Sequence, residues 1–124
     1  MSASKLPLLR ARAFRLQAGR CYYCACSMWQ DNPEEVGLLP RSKASRFFKC
    51  TAEHLVARCE GGTDTADNIV AACYLCNSRR HQFRRPLGPE AYRSHVAHRL
   101  ARGKWHHSFG GSARAVSASP REGR

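Results

Sequence analysis

The sequence predicts a small α+β domain in which a strand–loop–strand–helix unit is stapled by metal and flanked by helices. Three observations predict this. Two C-x-x-C pairs, Cys21/Cys24 and Cys73/Cys76, have the spacing with which a chain presents four thiolates to one tetrahedral ion. Between residues 46 and 84 the pattern passes from aromatic and β-branched residues through turn formers to a second β-branched run, then to a stretch free of Gly and Pro. Finally, a chain of 124 residues is one domain at most, and a core that small needs such a staple.

The elements follow in order. Residues 6 to 18 read as a basic helix with Leu9, Ala13 and Leu16 as its inner stripe and Gly19 as its end. Residues 20 to 26 hold the first zinc knuckle, with Tyr22 and Tyr23 inside it. The stretch from Asp31 to Leu39 contains Pro33 and Gly37 and runs into Pro40, so it is expected to be a loop. RFFKCTAEHL, residues 46 to 55, suits a strand ending near His54, and EGGTDTADN, residues 60 to 68, is turn chemistry throughout. NIVAAC gives the second strand, and YLCNSRRHQF continues as a helix stopped before Pro86. PEAYRSHVAHRLAR, residues 89 to 102, is a last helix with Pro89 in its first turn, Gly103 at its end and Tyr92, Val96 and Leu100 on one stripe. The expected division is therefore a basic helix at 1–18, the central unit at 19–85, a basic helix at 86–107 and a disordered tail at 108–124.

The formal charge of +12 makes a polyanion the expected partner, nucleic acid before an anionic membrane, since no long amphipathic helix supports the latter. Solubility alone is the blander reading. Against it, the basic residues surround an acidic patch of Glu53, Glu60, Asp64 and Asp67, as suits a cation site facing a phosphate backbone. No apolar run could span a bilayer and nothing resembles a secretory signal, so an intracellular, cytoplasmic location is expected, in a bacterium or phage. The acid-free, Arg-rich first twenty residues also have the composition of a mitochondrial transit peptide, a weaker reading than a folded helix.

Seven cysteines without a secretory signal point to metal rather than disulfides. Cys21, Cys24, Cys73 and Cys76 are the expected structural Zn²⁺ ligands, and the ion would pin the long segment between the pairs at its base. A thioredoxin-like redox pair predicts one C-x-x-C, not two. Cys26, Cys50 and Cys59 are left as free thiols or small core residues.

Glu53, His54, Asn68, Asn77 and His81 are individually unremarkable: a lone His is usually a polar surface residue, Asn68 a turn former, Asn77 a helix cap. Their joint arrangement is not. CYYC at 21–24, EH at 53–54, GGTDTADN at 61–68 and CYLCN at 73–77 together make residues 19 to 85 resemble an HNH endonuclease domain of the ββα-metal class, in its zinc-stapled version. The resemblance implies that His54 is the first signature histidine, Asn68 the central asparagine and Asn77 the final H/N position. Glu53 stands where the family often has aspartate, and Asn77 replaces the histidine of the name.

Cutting a phosphodiester needs a water activated near neutral pH, which suits histidine, and a hard divalent cation such as Mg²⁺ to balance charge on the leaving oxygen. Adjacent strand residues point to opposite sides, so Glu53 and His54 cannot both face one phosphate from a regular strand. The family arrangement implies that Glu53 ligates the cation while His54, the general base, faces the attacking water. Asn77 and His81, four apart on a helix, share a face; Asn77 would be a second ligand, and His81 a third or a phosphate contact. Asn68 would hold the His54 imidazole or fix the loop that places it. Arg79 and Arg80 are expected on backbone phosphates, with Arg84, Arg85, Arg46 and Lys49 completing a nucleic-acid surface. The expected function is thus a metal-dependent DNA endonuclease leaving 5′-phosphate and 3′-hydroxyl ends, with RNA a lesser candidate substrate. A monomer would nick, and a homodimer or a larger partner protein is left open. The alternative from another class is a catalytically silent zinc-ribbon module that only binds DNA or RNA.

Overall fold

The computed structural model describes residues 5–106; the tail expected at 108–124 lies outside the described residues. The order is α1 (Leu6–Leu16), a 3₁₀ turn (Pro33–Val36), α2 (Lys43–Phe47), β1 (Cys50–His54), a 3₁₀ turn (Arg58–Glu60), β2 (Ile69–Cys73), α3 (Tyr74–Arg80) and α4 (Pro89–Ala101). β1 and β2 form a two-stranded antiparallel sheet with Cys50 opposite Cys73 and His54 opposite Ile69. α3 follows β2 without a break, so the centre of the chain is a ββα unit. Among the described residues no helix is long and apolar enough to cross a membrane.

A two-stranded sheet is marginal alone and must be covered. α1 lies on it, with Ala13 buried and Gln17 reaching β2. The Gln17 amide donates to the Ala71 carbonyl at 2.8 Å and accepts from the Ala71 N–H at 2.9 Å, and the Tyr22 N–H donates to the same carbonyl at 2.9 Å. These bonds satisfy the outer edge of β2 and leave no template for a further strand. Gln17, four residues after Ala13, takes the stripe position expected of Leu16, which is 69 % exposed instead.

The start of β1 is a second correction. Arg46 and Phe47 belong to α2, not to the strand, because the Ser42 hydroxyl caps that helix by accepting from the Ser45 N–H at 3.3 Å. The aromatic pair suggested β structure, yet Phe48 is fully buried against Trp29, whose indole N–H donates to the Ser45 carbonyl at 2.8 Å. α3 also ends earlier than expected, at Arg80.

The main core joins Ala13, the four paired cysteines, Tyr23, Met28, Leu75, Tyr92, Val96 and Trp105, so α1 and α4 share it with the ββα unit. Tyr92 and Val96 are buried and Leu100 packs on the same cluster, as the stripe on α4 requires. The Tyr92 hydroxyl, which burial and the nearby thiols keep protonated, donates to the Cys76 carbonyl at 2.7 Å and ties α4 to the start of α3.

Candidate active site and metal centre

The knuckle segment after α1 and the β2–α3 junction bring Cys21, Cys24, Cys73 and Cys76 together, all buried, with their sulfur atoms within 4.8 Å of one another. Backbone N–H groups aim at these sulfurs: Tyr23 and Cys73 at Cys21, both at 3.3 Å, and Cys76 at Cys73 at 3.4 Å. The Trp105 indole donates to Cys76 Sγ at 3.3 Å. Burial raises the Cys21 thiol, but hydrogen bonds with Cys24, Cys73 and Cys76 outweigh it and hold that thiol well below the ordinary range. Hydrogen bonding with Cys21 pushes Cys24 up, and burial pushes Cys73 and Cys76 up. Four buried thiols cannot all ionise side by side without a countercharge, and a divalent cation would supply it. Donor set, burial and N–H···S bonds fit a structural metal such as zinc.

One edge of the ββα unit carries an open cleft of about 430 Å³, lined among others by Leu6, Glu53, His54, Arg58, Asn77 and His81. β1 supplies Glu53 and His54, and α3 and its C-cap supply Asn77 and His81. Glu53 is 1 % exposed. Its Oε2 accepts from Arg80 Nη1 at 2.6 Å and from the Tyr23 hydroxyl at 2.8 Å, while Oε1 lies 3.1 Å from His81 Nε2. One oxygen is thus fixed in the core and the other is paired at the cleft. The 3.1 Å separation suits a hydrogen bond, and it also matches adjacent corners of an octahedron with bonds of about 2.1 Å. The Asn77 amide nitrogen donates to Thr51 Oγ1 at 3.0 Å and to the Ala52 carbonyl at 3.3 Å. A carbonyl can only accept, so this orients the amide and leaves Oδ1 as its ligand atom.

His54 Nε2 lies 2.8 Å from Asp64 Oδ1. Hydrogen bonds from His54 and then Arg58 hold the Asp64 carboxyl below the usual carboxylate range. An ionised carboxylate only accepts, so Nε2 donates to it, and in the neutral ring Nδ1 is the nitrogen with the lone pair. Arg58, at the cleft, grips the other side of Asp64 at 2.9 Å.

Asn68 bonds to the loop backbone. Its Oδ1 accepts from the Val56 N–H at 2.9 Å, and its amide nitrogen donates to the Val56 and Thr63 carbonyls at 3.0 and 2.9 Å. These bonds clamp the loop that delivers Asp64. The loop also depends on Gly62, where an added Cβ would sit 1.7 Å from the Val56 carbonyl oxygen. In the sequence Asp64 belongs to an acidic patch with Glu53, Glu60 and Asp67. The signal that could have singled it out is its place between the glycine pair and Asn68.

Arg80 corrects the expectation of a phosphate contact. It is 5 % exposed, and besides Glu53 it donates to the carbonyls of His54, Leu55 and Leu87 at 3.1, 3.2 and 3.0 Å. On α3 it faces the sheet. Arg79 points elsewhere, its guanidinium 4.8 Å from the Trp105 ring centroid. Lys49 lies over Trp29 and Arg46 over Tyr74, whereas Arg84 and Arg85 are exposed beyond α3.

With this geometry in place, comparison with known proteins shows that residues 44–83 match the HNH endonuclease family. That segment is similar to an HNH domain. Glu53, His54, Asn68, Asn77 and His81 all fall inside the HNH match, as do Cys73 and Cys76, while Cys21 and Cys24 precede it. No curated protein and no solved structure matches the chain. The HNH match points to a nucleic-acid-related function, and the ββα unit is consistent with an HNH fold.

Proposed function

We propose that the chain is a metal-dependent endonuclease that hydrolyses DNA phosphodiester bonds, with His54 as the general base. The observation that carries this reading is a single cleft lined by Glu53, His54, Asn77 and His81, in which Asp64 presents the His54 imidazole in the tautomer a base needs.

Glu53 Oε1, Asn77 Oδ1 and His81 Nε2 would hold Mg²⁺ or a similar ion, and Cys21, Cys24, Cys73 and Cys76 would hold Zn²⁺. The hard ion, when bound, supplies charge compensation for the pentavalent transition state and the leaving oxygen. The chain's own residues do the rest. His54 Nδ1 takes a proton from the attacking water, and Asp64 stabilises the imidazolium that results. Arg80 and Tyr23 lock the Glu53 carboxylate, so that one rotamer presents Oε1 to the cleft. Arg84, Arg85 and Arg58, with Arg79, Arg46 and Lys49 further out, favour the phosphate backbone over any neutral substrate.

The test is nicking of supercoiled plasmid by zinc-loaded protein as Mg²⁺ is titrated in. Asn77→Ala and His81→Ala should each raise the half-saturating Mg²⁺ concentration by about tenfold or more without loss of zinc. Cleavage that is independent of added cation would overturn the assignment of a cleft ion. Binding without any cleavage would leave a zinc-dependent nucleic-acid binder.

A further inference from the structure

A second cluster of metal-ligating groups adjoins the four cysteines and plays no part in the reaction. Cys26, half-buried, follows the first knuckle, and Cys24, Cys26 and His106 bring their ligand atoms within 4.8 Å of one another. Cys26 Sγ lies 3.4 Å from His106 Nε2. Tetrahedral zinc, with bonds of about 2.3 Å to sulfur and 2.0 Å to nitrogen, places such a pair about 3.5 Å apart.

The placement of His106 is built. Gly103, with φ +70°, turns the chain after α4. Trp105 is then fixed by its bond to Cys76 Sγ and by the Arg79 guanidinium over its ring. The His106 ring packs edge-on against Phe48 at 5.0 Å and is buried with its nitrogens toward Cys26. A histidine 80 residues from Cys26 in sequence is thus delivered to a thiol beside a thiolate cluster.

We propose that Cys24, Cys26 and His106 form a second site for a thiophilic divalent cation of the zinc class, with Cys24 Sγ bridging it to the ion of the four-cysteine centre. Two thiolates and an imidazole select zinc-like over magnesium-like cations, and half-buried Cys26 leaves the fourth position to water. The second ion would fasten the segment after α4 to the knuckle, beside the Trp105 bond to Cys76 Sγ. The proposal rests on the zinc reading of the four cysteines but not on nuclease activity.

The test is cadmium-113 NMR of the full chain reconstituted with cadmium, because thiolate-bound cadmium resonates far from cadmium held by oxygen and nitrogen donors such as those of the cleft. The wild type should give two thiolate-type resonances joined by a cadmium–cadmium scalar coupling through the shared sulfur. Cys26→Ser should abolish one resonance and the coupling, and His106→Gln should shift or abolish the same resonance. One uncoupled thiolate resonance in the wild type would overturn the second site, leaving Cys26 and His106 as a hydrogen-bonded pair and the four-cysteine reading intact. No thiolate resonance would overturn both. Two resonances that survive Cys26→Ser would also overturn the assignment.

Discussion

Replacing Arg80 separates a structural guanidinium from a phosphate clamp. Arg80→Met keeps the volume of the side chain and removes its charge, leaving the Glu53 carboxylate, 1 % exposed, with the Tyr23 hydroxyl and His81 as its remaining partners. Removing one member of a buried ion pair costs about 3–5 kcal/mol, because the other charge stays desolvated. The carbonyls of His54, Leu55 and Leu87 lose a donor as well. For a domain of this size each kcal/mol shifts the midpoint by about 4–8 °C, so the loss of Tm should be on the order of 12 °C or more. Thermal melts followed by circular dichroism read it directly. In Arg80→Met/Glu53→Gln both charges are gone, and the double variant should melt above Arg80→Met, with a coupling on the order of 1–3 kcal/mol. An Arg80→Met protein that melts within about 2 °C of wild type, and whose DNA affinity loses about 0.9 from its log–log salt slope, would refute the reasoning and put Arg80 on a phosphate.

Gly62→Ala should displace the loop carrying Asp64, since its new methyl would meet the Val56 carbonyl; nicking should fall about tenfold or more while zinc content is unchanged, as metal analysis and plasmid assays would establish. Cys73→Ser would take one thiol from the four-cysteine cluster that joins the first knuckle to β2, so a cooperative melt should disappear or shift down strongly, and an unchanged melt would remove the zinc assignment. Arg84→Ala/Arg85→Ala should weaken DNA binding about equally for all sequences and reduce the salt slope by up to about 1.8, measured by fluorescence anisotropy from low to moderate salt, with no change in Tm.

Much of this architecture could be read from residue order because it rests on local rules. The two C-x-x-C spacings specify the thiolate cluster, the β-branched run specifies β2, and the i, i+4, i+8 stripe of Tyr92, Val96 and Leu100 specifies the inner face of α4. The grouping of Glu53, His54, Asn77 and His81 on one cleft could be anticipated because β1 and α3 are fixed relative to each other by β2 and the cysteines. What escaped was long-range. Whether Arg80 faces phosphate or core depends on Glu53 and Tyr23, 27 and 57 residues away, and periodicity alone cannot supply those partners. Asp64, rather than Asn68, meets His54 because the loop folds back at Gly62, a tertiary contact with Val56. α2 displaced the expected start of β1 because a serine cap and the burial of Phe48 on Trp29 outweighed aromatic β-propensity. The pairing of His106 with Cys26 spans 80 residues and leaves no local pattern.

The role proposed for His54 is that of the base that activates water. Its most direct test is single-turnover cleavage of plasmid DNA by wild type and His54→Ala, each zinc-loaded, folded and saturated with Mg²⁺. With His54 as the base, the variant's rate should be lower by about 10²–10⁴, with DNA affinity and Tm close to wild type. An undiminished rate in a folded, zinc-bound His54→Ala protein would contradict it.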